Sequence, residues 1–91
     1  MTNQSQEDAP EASFLTILYT MATQAMIALG EIPNPMTKEP KFDERQARWH
    51  IKSLQILQEK TAGNLSEKEE LALSNTLEQV TTMMDQKTAD V

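Results

Sequence analysis

The chain has 91 residues, a formal net charge of -6 and no cysteine. That length fits one domain, and the acidic balance opposes non-specific binding to nucleic acid. The lack of cysteine excludes disulfides, thiolate metal sites and thiol nucleophiles, and it fits a reducing, cytoplasmic compartment. Residues 1–12 are polar, carry Glu7, Asp8 and Glu11, and are expected to form a disordered acidic tail. Residues 85–91 are expected to be a second disordered tail, which leaves a single helical domain over 13–84. No basic stretch followed by an apolar one opens the chain, so a signal peptide is not expected.

The first expected helix covers about 13–29. Ser13 is a plausible N-cap, and Gly30 stands where helices often end in a left-handed residue. The run FLTILYTMATQAMIAL contains no charge. At 100° per residue, Thr16, Thr20, Thr23, Gln24 and Ile27 gather on one side. The other positions from Phe14 to Leu29 cover an apolar arc of roughly 200°, whereas packing on one neighbour needs only about 100°. Such a helix is expected to be covered from two or more sides. It is short for a membrane span, is interrupted by Thr and Gln, and has no flanking cations, so neither a span nor an interfacial helix is expected.

The segment EIPNPMTKEPK comes next, with three prolines. Pro33 and Pro35 bias the residues before them toward extended geometry. A fixed, extended, Pro-rich connector is expected, joining helix one to helix two.

The second expected helix covers about 43–62. Asp43 and Gln46 read as a capping box, and Phe42 with Ala47 as a hydrophobic staple. Ala47, Ile51, Leu54 and Leu57 form one apolar face, with His50 on its flank. Trp49 and Ile56 fall on the opposite face beside Arg45 and Lys52, so the helix is expected to be sandwiched between neighbours. Gly63-Asn64 stops it. The third expected helix, about 66–84, opens on a Ser66/Glu69 capping box. Glu67, Glu69 and Glu70 occupy its first turn, where carboxylates favour the helix dipole. Leu73, Leu77, Val80 and Met84 make a regular amphipathic stripe. The short loop between helices two and three predicts an antiparallel hairpin. The fold class is therefore all-α, with three helices. Residues 38–60 hold six basic and four acidic side chains, and residues 64–91 two basic and six acidic. That asymmetry predicts that a mildly basic segment lies beside an acidic one.

Tests for chemistry are negative. His50 is the only histidine, with no partner at metal-ligand spacing, and reads as a half-buried filler. First-turn capping accounts for the three glutamates without a cation, since no calcium-loop spacing is present. The helix–turn–helix outline would place three acids where a recognition helix meets phosphate, which argues against DNA. Both glycines stand singly at helix ends, so there is no phosphate loop. No enzyme activity, cofactor or metal is expected.

Two blocks of sequence, FLTILYTMATQAMIALGEIPNP and QARWHIKSLQILQEKTAGNLSEKEE, resemble the DUF1844 family of small bacterial proteins. "ALGEIPNP" and "LQILQEKTAGNLS" carry most of the likeness, which spans about residues 14 to 80. Glu44 and Ala62 depart from the family pattern. The resemblance implies a bacterial, cytosolic helical protein of unknown function and supplies no catalytic residues.

Three functional readings are open to such a chain. The leading one is a homo-oligomeric helical interaction module, a dimer or higher, with Phe14, Leu15, Leu18, Met21, Ala22, Ala25 and Met26 of helix one at the interface. Another is an adaptor for a second cytosolic protein, docking through Trp49, Ile56, Arg45, Arg48 and Lys52. Here Trp49 has a plainer role open to it, packing on helix one. The third is a regulatory domain sensing a small molecule through His50.

Overall fold

The computed structural model describes residues 11–89. Three helices form, α1 (Phe14–Ala28), α2 (Glu44–Thr61) and α3 (Glu67–Ala89), and each packs against the other two. The all-α, three-helix expectation holds. The expected tail over residues 1–10 and the last two residues lie outside the described residues.

The helix starts are built by the residues at their caps. The Ser13 hydroxyl accepts from the Thr16 N–H at 3.2 Å while the Thr16 hydroxyl accepts from the Ser13 N–H at 2.9 Å. At α3, Glu69 N–H donates to Ser66 Oγ at 3.1 Å, and Ser66 N–H donates to Glu69 Oε1 at 2.9 Å. Asp43 caps α2 by accepting from Gln46 N–H at 3.1 Å, but Gln46 does not return the bond, so only half of the expected capping box forms. Each cap satisfies amide groups that the helix itself leaves free.

Helix α1 ends on a double hydrogen bond. Gly30 N–H reaches the Ile27 carbonyl at 3.0 Å and Glu31 N–H reaches that of Met26 at 2.9 Å, with Gly30 at φ 80°. This pattern requires a left-handed residue after the last helical turn. Its position is also crowded, because a Cβ on Gly30 would stand 3.1 Å from the Phe42 nitrogen. The crowding arises because the chain returns there: Leu29 bridges to Phe42, and Asp43 N–H donates to the Ala28 carbonyl at 2.8 Å.

The connector is therefore not the extended strut expected from its prolines. Asn34 folds it back on itself. The Asn34 carbonyl accepts from Lys38 N–H at 2.6 Å, its N–H donates to the Glu39 carbonyl at 3.1 Å, and its side-chain oxygen accepts from Met36 N–H at 2.7 Å. Proline restricts single residues, but it does not stop an Asn between two prolines from organising a turn around itself.

Leu18, Leu29, Leu54, Leu73 and Val80 are the largest fully buried side chains. Ala25, Ala28, Ala47, Ile51, Leu77 and Met84 complete the core. The buried stripe of α3 is the one expected from its periodicity, Leu73, Leu77, Val80 and Met84. The helix nevertheless continues five residues past Met84, through Ala89, so residues 85–89 are helical where a disordered tail was expected. The apolar stripe ends at Met84, but the helix is carried on by polar contacts. Lys87 meets Glu31 of the connector at 3.6 Å, and the Thr88 hydroxyl donates to the Met84 carbonyl at 3.0 Å. A cation in the last turn also favours the helix dipole.

Helix α2 also departs from expectation. Its Ala47, Ile51 and Leu54 face is buried, but Trp49 is 63% exposed and Ile56 45% exposed. The helix is covered on one side only, since α1 and α3 both pack on the Ala47–Leu54 side.

The two left-handed glycines give a direct test. Gly30→Ala is expected to destabilise the fold by about 2–3 kcal/mol, from the left-handed backbone and the close approach of Phe42. Gly63→Ala, at φ 85° with no atom within 4 Å of the added carbon, is expected to lose only about 1 kcal/mol. Urea unfolding midpoints measure both. Equal losses would contradict the role given to the Leu29–Phe42 closure.

Candidate functional site

The residues expected at an α1 interface divide into two sets. Leu18 and Ala25 have no exposure and belong to the chain's own core. Phe14, Leu15, Met21, Ala22 and Met26 are half-buried, and all of these but Ala22 pack on the core. The threonines of the opposite face are served by their own helix, since the Thr20 and Thr23 hydroxyls donate to the Thr16 and Tyr19 carbonyls, each at 2.9 Å. Two large apolar side chains remain outside. Ile17 is 54% exposed and Tyr19 55% exposed.

Tyr19 lines an open groove of about 380 Å³ between α1 and α3, together with Ala22, Met26, Ile32, Thr76 and Val80. Two of the expected interface residues, Ala22 and Met26, thus share a surface with Tyr19. Tyr19 belongs to the wide apolar arc, but nothing in the helical wheel distinguishes it from its neighbours. Its exposure depends on where α3 lies.

All five residues of the expected α2 surface are exposed: Arg45, Arg48, Trp49, Lys52 and Ile56. Trp49 does not pack on α1, the plainer of the two roles open to it. It leans edge-on against His50, with ring centroids 5.0 Å apart and planes at 90°. Arg48 is held by Glu44 one turn earlier, through Nη2 at 2.6 Å and Nε at 3.1 Å. The basic and acidic segments lie beside one another as α2 and α3, but their charges do not pair. Among the described residues the two ion pairs are Arg48–Glu44 and Lys87–Glu31. Leu71 of α3 is 62% accessible, and because it falls outside the Leu73 stripe, periodicity gives no sign of it.

His50 is half-buried in an open groove of about 330 Å³ whose other walls include Gln24, Asn34, Asp43 and Gln46. Burial lowers its pKa from the ordinary 6.5. No cluster of metal-ligating side chains occurs among the described residues, and no described helix is long and apolar enough to cross a membrane.

Because the folded chain holds His50 below its ordinary pKa, the unfolded chain binds the proton more readily. Stability is therefore lost as pH falls from 6.5 through the lowered value. The melting temperature is expected to drop between pH 7.5 and 5.5 more steeply in the native sequence than in His50→Gln, as followed by circular dichroism. Parallel slopes would show that burial of the ring does not govern this titration.

Comparison with known proteins gives one match. A family model described as Domain of unknown function (DUF1844) aligns with residues 11–84. No curated protein and no solved structure matches the chain. The matched stretch takes in Ser13, all of α1 and α2, the Asn34 connector and the buried stripe of α3 down to Met84, and on that coverage the chain belongs to the DUF1844 family.

Proposed function

We propose that this protein is a non-enzymatic helical module that works by self-association, with the groove between α1 and α3 as a contact surface. One observation carries this reading: Tyr19, more than half exposed, stands over a groove walled by Ala22, Met26, Ile32 and Val80. A large aromatic ring held over an apolar groove loses water favourably when a second surface closes on it. A second copy brings the same groove, and two-fold pairing lets each copy cover the other.

The non-enzymatic part is supported by the occupations of the ionisable groups. Glu69 serves as a cap and Glu44 holds Arg48. His50 meets an aromatic ring edge-on and has no ion-pair partner among the described residues. The absence of cysteine fits work in the bacterial cytosol, where thiols gain nothing from pairing.

Light scattering after size exclusion measures the assembly. The native chain is expected to exceed the monomer mass of 10.3 kDa at about 100 µM. Tyr19→Glu is expected to lower the mass at least twofold with unchanged helix content. A native chain that remains monomeric at that concentration would overturn the reading.

A further inference from the structure

The charges and apolar groups of α2 and α3 form two stripes that fit each other better than they fit anything within one chain. On α2, Arg45, Trp49, Lys52, Ile56 and Lys60 recur at steps of three and four and share one exposed side. On α3, Glu67, Leu71, Glu78 and Asp85 recur at steps of four and seven and are likewise exposed. Lys52 and Asp85, one from each stripe, line the same groove between the two helices, so both stripes look out from one side of the α2/α3 layer. That side is not the one covered by α1. Thr76, which lines the α1 groove, and Asp85 are nine residues apart, about half a turn round the helix.

None of these charged residues takes part in an ion pair among the described residues. Three of the six most exposed large apolar side chains, Trp49, Ile56 and Leu71, lie on these two stripes. One stripe is basic and aromatic, and the other is acidic with an aliphatic residue. Because a single face carries both, it is complementary to itself after a two-fold rotation, so each contact made once is made twice. Helices of this length offer a face roughly 30 Å long and about 20 Å wide. That is on the order of 600 Å², close to what a stable interface takes from each partner.

We infer that the α2/α3 face is a two-fold contact between copies of this chain, with the Arg45–Lys60 stripe of each lying over the Glu67–Asp85 stripe of the other. Trp49 and Ile56 of one copy and Leu71 of the other are enclosed along this contact, and the charges pair around them. The inference rests on the reading that the chain self-associates, but not on the α1 groove.

Trp49 is the only tryptophan, so its emission reports this contact and not the groove. Titrated from about 1 to about 300 µM, the native chain is expected to show a blue shift of Trp49 emission as its mass rises. Arg45→Glu/Lys52→Glu and Glu78→Lys/Asp85→Lys alter exposed residues and should each keep the native circular dichroism. Each alone is expected to weaken the shift about tenfold in concentration. Mixed in equal amounts, they are expected to restore it, because both inter-copy stripes are then again of opposite sign. Tyr19→Glu is expected to keep the shift. Emission independent of concentration in a chain that does assemble would overturn this contact and leave the α1 groove standing. A shift that persists in both reversals, or that mixing fails to restore, would overturn it as well. A native chain that stays monomeric throughout would overturn both readings together.

Discussion

The core of this protein is small, and most of its other properties follow from that. The largest fully buried side chains are four leucines and a valine, Leu18 and Leu29 at α1, Leu54 on α2, and Leu73 and Val80 on α3. Three helices meeting along one line can each turn only part of their circumference inward. Apolar residues in excess of that part must lie at the flanks or outside. The chain is accordingly thin, 16 Å in its shortest Cα extent. Tyr19, Trp49 and Leu71 are exposed for this geometric reason, one on each helix.

With so little apolar burial, the ends of the helices matter more than they would in a larger domain. Helices of 15 and 18 residues are marginal in isolation. The Ser13–Thr16 and Ser66–Glu69 boxes, the Asp43 cap and the Gly30 terminus satisfy backbone groups that would otherwise compete for water. The Asn34 loop has a further consequence. By returning Phe42 and Asp43 to the end of α1, it sets where α2 begins and therefore which face of α2 meets α1. Ala47, Ile51 and Leu54 go inside, and Trp49, on the other side of the helix, is left in solvent.

The electrostatic pattern belongs to the same geometry. A basic helix and an acidic helix lie side by side, but their charges do not pair across the shared seam, whose buried part is filled with leucine, isoleucine and methionine, and Lys52 and Asp85 stand only at its solvent edge. Exposed ion pairs contribute little to the stability of a single chain, so the fold loses little by leaving them unmade. At a surface closed off from water the same charges would weigh more, in orientation and selectivity above all.

The helices, their caps, the Gly30 and Gly63 stops and the buried stripe of α3 are all legible in the sequence, because each depends on residues within a turn or two of one another. Ser66 and Glu69 find each other whatever the rest of the chain does, and Leu73 through Met84 fall on one side of any helix that contains them. The α1 surface is legible only in part: the apolar arc is evident, but Leu18 cannot be told from Tyr19. Leu18 goes to the core and Tyr19 to a groove rim because of where α2 and α3 lie. In the same way the two roles open to Trp49 are separated only by its exposure, the connector reads as extended and proves closed, and α3 outlasts its apolar stripe once Glu31 comes within reach of Lys87. Each of these depends on contacts between residues far apart in the chain. Periodicity says which residues share a helix face, and only the packing of three helices on one another says which faces are left for a partner.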